Sequence, residues 1–277
     1  MEFDARANLL NFPIGEKATR EAKQLFLGNQ QSVREGLLVE YGIHDSAQKL
    51  QNFRELGPAL PSILSFHNNF MRQIRGSFVI GSYYPALTGA CALGERILNH
   101  LLLNLREFYI STPEYKRVYN KESFDDWDIP IETLTTWGIL LPDVVTNFSS
   151  LKKQRHRTLH FDPSTDHNDR ELALCAIKTL AAIINDQFSA LEPKPWFIPA
   201  NMGIAFIKRE CEELPFIKVV YLPSCRLVGP RHTLEMSPNG WVARDDHPYE
   251  DKRITDEEFI QLFQNANHNP LPIRQGG

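Results

Sequence analysis

Nine consecutive positions, Lys152, Lys153, Gln154, Arg155, His156, Arg157, Thr158, Leu159 and His160, hold four permanent cations and two imidazoles. Guanidinium and ammonium groups hydrogen-bond phosphate oxygens, and imidazole exchanges a proton near neutral pH without strong perturbation. The strip is therefore suited to gripping a phosphate diester and moving a proton beside it. It emerges from a segment bearing Val144, Val145, Phe148 and Leu151, so it belongs to the end of a helix with a buried face. Cations are also favoured there by the helix dipole, and a solvated basic helix end is the plain alternative.

Metal chemistry fits the spacing poorly. His156 and His160 share a helix face, but Arg157 stands where a zinc-protease H-E-x-x-H pattern needs its glutamate, and neighbouring cations oppose a divalent ion. Cys225 with His232 lacks paired-ligand spacing. The four cysteines, Cys91, Cys175, Cys211 and Cys225, form no C-x-x-C pair and read as free thiols of a reducing compartment. No metal or cofactor is expected. A P-loop, a dinucleotide-binding glycine turn and a G-x-S-x-G elbow are all missing from the sequence.

The elements that must position the strip are helical. Glu16 to Tyr41 reads as two helices separated at Gly28, and Gly57, Pro58 and Pro61 break the chain after them. Ile63 to Ile80 fits a helix with one buried face. Tyr84 to Tyr109 is a long, densely apolar helix with Glu95 and His100 as polar exceptions. Ser111 to Pro130 reads as a connecting loop whose Tyr115, Tyr119, Phe124 and Trp127 either anchor it to the core or stack on bases. A short helix covers Ile131 to Trp137, Pro142 opens the helix that carries the strip, and Asp162 with Pro163 closes it. Asp166 to Leu191 is the last long helix. Beyond Pro195, strands are expected at Ile217 to Leu222, Cys225 to Val228, His232 to Met236 and Gly240 to Ala243, followed by a short helix introduced by a Thr255/Glu258 capping box and a loose tail.

The fold class is thus mainly α: a helical bundle with a small C-terminal α+β appendage. Three parts are expected, a leading helical segment (1–57), a helical domain (58–192) and a strand-rich appendage (193–277). Composition is that of a soluble globular chain, 42% hydrophobic and 23% charged. The net charge of −4 argues against nucleic-acid binding over the whole surface but leaves room for a local basic field. No secretory or transit segment and no bilayer-spanning run is apparent, so a cytoplasmic protein without a membrane partner is expected.

Arg155 and His160 form an R-x4-H pattern, preceded by a long helix bearing Gly94 and Glu95 and followed by a long apolar helix. The chain from about Ser62 to Leu191 resembles the HEPN family of helical nucleic-acid-processing domains in this arrangement. Positions five apart lie about 140° apart around an α-helix, so one copy does not aim both groups at one atom. The resemblance implies a homodimer whose two strips meet in one composite cleft, and metal-independent cleavage of RNA by attack of a ribose 2′-hydroxyl on the adjacent phosphate. It implies His160 as general acid or base, Arg155 as phosphate and transition-state anchor, and His156 as support. Glu95 would orient Arg155, while Lys152, Lys153 and Arg157 contact flanking phosphates. A toxin or defence effector with an antitoxin or regulatory partner fits this reading. The family toxins neutralised by a nucleotidyltransferase carry a tyrosine two residues after the histidine, whereas this chain has Asp162. The alternatives are a non-catalytic RNA- or nucleotide-binding module of the same kind, and a helical scaffold for protein interaction.

Overall fold

The computed structural model describes residues 4–159, 167–190, 193–199, 206–237 and 240–268. His160, the expected Asp162/Pro163 helix stop and the C-terminal tail from 269 lie outside the described residues. The chain divides into two compact units, Met1–Ser189 and Ala190–Gly277. It is mainly helical, and the named strands among the described residues form one two-stranded sheet. No helix among the described residues is long and apolar enough to cross a membrane.

The first unit is organised around α5 (Tyr83–Leu105), which packs against α4 (Ser65–Val79), α8 (Pro142–Leu159) and α9 (Asp169–Phe188). Ala86, Leu87, Ala90, Cys91, Leu93, Gly94, Ile97, Leu98 and Leu101 are all buried on α5, covering more than one face, as a helix enclosed by neighbours requires. In front of this bundle lie α1 (Arg6–Asn11), α2 (Arg20–Tyr41) and α3 (Ser46–Leu56), with α3 contacting α4 and α9. The helix expected to stop at Gly28 instead runs unbroken through it. A glycine in a helix interior costs only about 1 kcal/mol, and α2 is started by the Thr19 hydroxyl, which accepts from the Ala22 N–H at 3.2 Å. The real stop after α3 is Gly57, whose φ of 70° suits a residue without a side chain.

The segment read as a loop holds a short helix, α6 (Tyr115–Val118), and the first residues of α7 (Asp128–Thr136). It is pinned to the bundle: Arg106 Nη1 donates to the carbonyls of Val118 and Lys121 at 3.0 and 2.6 Å, and Asn99 exchanges two hydrogen bonds with the backbone of Phe124. Phe124 and Trp127 are buried, so these two aromatics anchor the segment.

In the second unit, Trp196, Phe197, Phe216 and Tyr221 pack edge to face with one another. The expected strand at Ile217 to Leu222 is a π-helical turn, Phe216–Tyr221, and Cys225 to Val228 forms no strand. Its buried residues, Phe216, Ile217, Val220 and Tyr221, recur at a helical interval, which a short apolar run does not separate from a strand by composition. The other two expected strands pair as an antiparallel ladder, β1 (Thr233–Ser237) with β2 (Gly240–Arg244). Helix α10 (Asp256–His268) begins with the capping box: the Glu258 N–H donates to Thr255 Oγ1 at 3.2 Å and Thr255 N–H donates to Glu258 Oε2 at 2.9 Å.

Candidate functional site

Helix α8 divides the basic strip between two environments. Val144, Phe148 and Leu151 are fully buried, and Arg155 follows one turn later on the same stripe. Its guanidinium is consequently drawn toward α5, where Nη2 lies 2.9 Å from Glu95 Oε2. The same carboxylate oxygen accepts from Trp127 Nε1 at 3.2 Å, and Arg155 Cζ stands 5.7 Å from the centre of the Trp127 ring. Carboxylate and indole together hold the arginine from two directions, one ionic and one through the ring face. Only 24% of the Arg155 side chain and 30% of that of Glu95 are exposed, so neither is a freely moving surface group.

Lys152 is one turn before Arg155 and forms an ion pair with Asp128, the first residue of α7. Lys153, His156 and Arg157 occupy the opposite, exposed side of α8. Gln154 and Thr158 face the interior, where Gln154 Nε2 donates to Cys175 Sγ at 3.3 Å and Thr158 Oγ1 donates to the Gln154 carbonyl at 2.8 Å. The structure thus brings Arg155, Glu95 and Lys152 to one side with Trp127 and Asp128, and places Lys153, His156 and Arg157 on another. His160 lies outside the described residues.

Gly94 makes this proximity sterically feasible. A Cβ at that position would stand 2.6 Å from Leu151 Cδ2 and 2.9 Å from Trp127 Cη2. Without a side chain there, α8 and the indole close onto α5 beside Glu95. Cys91, one turn earlier on α5, is buried, and burial pushes its thiol up to about 12, with the Arg155 charge opposing and the Glu95 charge adding to the shift. It is a neutral floor residue rather than a nucleophile. Among the described residues no group of three or more His, Cys, Asp or Glu side chains is arranged to hold a metal ion.

Asp128 is a site residue that the sequence did not single out, and Trp127 was read as an anchoring or base-stacking aromatic without its partner Glu95. For Asp128 the signal was indirect: an acidic residue in the first turn of an apolar helix, where a carboxylate meets the positive end of the helix dipole. No protein-family model, no curated protein and no solved structure matches the chain.

Proposed function

We propose that the first unit is a HEPN-like RNA-processing domain acting as a homodimeric, metal-independent endoribonuclease, with each chain contributing a half-site. The observation that carries this reading is the positioned guanidinium of Arg155, held by Glu95 and Trp127 on the helix that leads into His160. A guanidinium fixed at both its charged edge and its face loses little freedom on meeting a phosphate, which favours stabilising a pentacoordinate transition state. Lys152 lies one turn away and adds positive charge along the same side of α8. His160 would supply proton transfer, abstracting the 2′-hydroxyl proton or returning one to the 5′-oxygen leaving group, with the second protomer completing the pair.

The test uses the full chain, a labelled single-stranded RNA and a chelator. Cleavage to 2′,3′-cyclic phosphate ends is expected, with at least about a hundredfold loss in Arg155→Ala and His160→Ala. Mixing these two variants should restore part of the activity if one cleft draws on both chains. Wild-type protein that leaves RNA intact, or cleavage that survives both substitutions, would remove the catalytic reading.

A second reading is an RNA-binding module that does not cut. It is favoured by the ion pair itself, because a phosphate would have to compete with the Glu95 carboxylate for Arg155. RNA binding that falls in Arg155→Ala, persists in His160→Ala and never leads to product would establish it.

A further inference from the structure

The leading helices carry a groove of about 480 Å³ among α1, α2 and α3. Leu10 and Leu50 give it apolar wall, and two exposed arginines, Arg34 of α2 and Arg54 of α3, line it from different helices. Among the described residues no carboxylate lies within ion-pair distance of either arginine. At helical spacing the neighbours of Arg34 are Gln30, Gln31, Leu37 and Leu38, so α2 offers it no acidic partner. Arg54 Nε donates to Asn11 Oδ1 at 3.0 Å, which leaves both terminal nitrogens of that guanidinium to donate elsewhere. The carboxylate that lines the groove, Glu55, is occupied at both oxygens: Oε1 accepts from Gln51 Nε2 at 2.8 Å and Oε2 from Arg170 Nη2 at 2.8 Å.

Helix position explains one of these cations and not the other. Arg54 stands in the last turn of α3, where the helix dipole favours positive charge. Arg34 stands well inside the 22-residue α2, beyond the reach of either terminus. The groove also lies at the end of the bundle toward which α8 carries the basic strip. Gln154 of α8 meets Cys175 of the antiparallel α9 at 3.3 Å, so five residues further toward that end on each helix Leu159 and Arg170 are level. Arg170 is the residue that holds Glu55.

We infer that this groove binds the phosphate backbone of single-stranded RNA, as a second contact of the strand that engages α8. The inference rests on the RNA reading above and names residues outside the R-x4-H strip that hold the substrate. Two guanidinium groups with free donors can each bind phosphate oxygens through charge-assisted hydrogen bonds. A ligand that reaches both the groove and α8 has to be an extended polyanion, which a single strand is.

The test measures binding of a labelled single-stranded RNA to the full chain by fluorescence anisotropy at stepped salt, with His160→Ala present so that the RNA stays intact. Adding Arg34→Gln and Arg54→Gln together should weaken binding roughly tenfold at low salt. The slope of log affinity against log salt should become shallower by about 1.4, the share of two single-strand phosphates. With His160 in place, the same pair should raise KM for cleavage and leave turnover at saturating RNA unchanged. Should the double variant fail to fold, Arg34→Glu alters one exposed side chain that makes no hydrogen bond among the described residues, and it should weaken binding by about fivefold or more. The inference is overturned if the chain with intact arginines binds no RNA, or if the folded variants bind it with unchanged affinity and salt slope. Cleavage that depends on Arg155 and His160 while KM ignores the groove would overturn this inference alone and leave the catalytic reading standing. Groove-dependent binding without cleavage would support the inference and remove the catalytic reading.

Discussion

Arg155 and Arg75 are both largely shielded from water at helix interfaces of the same unit, yet they differ in what meets their charge. Arg155 has a carboxylate at 2.9 Å and an indole face beneath it, whereas Arg75 is bonded to two backbone carbonyls and feels the Asp4 carboxylate from further away. A compensated guanidinium is held in place by the protein. At Arg75 the charge is met indirectly, by two carbonyl dipoles and by the more distant Asp4, while its hydrogen bonds tie α4 to the end of α3. The distinction separates a group presented at a helix face from one that joins two helices inside the unit.

The largest expected effect breaks the first half of this contrast. Gly94→Val places methyl groups where Leu151 and Trp127 already stand, with no room even for a Cβ. Overpacking of this kind costs about 3 kcal/mol, and it should appear as a lower denaturant midpoint together with loss of RNA cleavage. An unaltered midpoint in Gly94→Val would show that α5 and α8 do not need this close approach.

A second effect depends on pH and arises at His67, on the α4 side of the unit. His67 is buried at 1% exposure and is bonded at Nδ1 to Ser62 Oγ at 2.9 Å. Burial, assisted by the nearby His100, lowers its pKa from 6.5 to about 3. His100 is itself lowered by partial burial and by Arg96. Because the folded value lies below the unfolded one, the unfolded chain takes up the proton first as pH falls. The stabilising contribution of neutral His67 is therefore complete above pH 6.5 and is lost progressively toward pH 3. The slope approaches about 1.4 kcal/mol per pH unit for one proton. Denaturant midpoints measured at stepwise lower pH should fall in wild type and fall less in His67→Leu. Parallel curves would show that His67 does not titrate in this way.

The contrast between the arginines also marks what the sequence makes legible. The long apolar period of α5, the proline that opens α8 and the Thr255/Glu258 box each act within a few residues, and each is readable from local spacing. Glu95 and Arg155 were separately visible as polar exceptions next to apolar stripes. What local spacing does not carry is the partner: Trp127 reaches Glu95 across 32 positions, and Asp128 reaches Lys152 across 24. Arg75 had a quieter signal, a cation on the apolar side of an amphipathic helix adjoining Ile74 and Phe78. Gly28 failed as a stop because a glycine ends a helix only where the chain turns there, as it does at Gly57 with its positive φ. The Phe216–Tyr221 turn failed as a strand because a short run of bulky apolar residues suits either geometry until its neighbours are known.

A smaller effect sharpens the meaning of compensation at Arg155. In a double-mutant cycle between Glu95→Ala and Arg155→Met, a coupling of about 1 to 2 kcal/mol is expected, since both side chains are less than one-third exposed. Glu95→Ala also removes the acceptor of Trp127 Nε1, so it should cost more than Glu95→Gln, which keeps an acceptor oxygen. A coupling indistinguishable from zero would mean that the pair is geometric only, and that Arg155 is positioned by the indole and helix packing.

The smallest effect on stability falls on the exposed face of α8, where Lys153, His156 and Arg157 lie away from Glu95 and Trp127. Replacing all three with alanine should change unfolding free energy by no more than about 1 kcal/mol, the range of exposed charge interactions, partly offset by the better helix propensity of alanine. RNA affinity should respond far more strongly. If Lys153 and Arg157 each neutralise one phosphate of a single strand, the slope of log affinity against log salt should become shallower by about 1.4. Arg155→Ala should by contrast abolish cleavage while altering that slope by only about half as much, because it removes one contact. A triple variant with unchanged salt dependence would confine RNA contact on α8 to the Lys152 and Arg155 side. In that case the exposed cations follow from their position near the end of a helix, where positive charge is favoured whatever the protein binds.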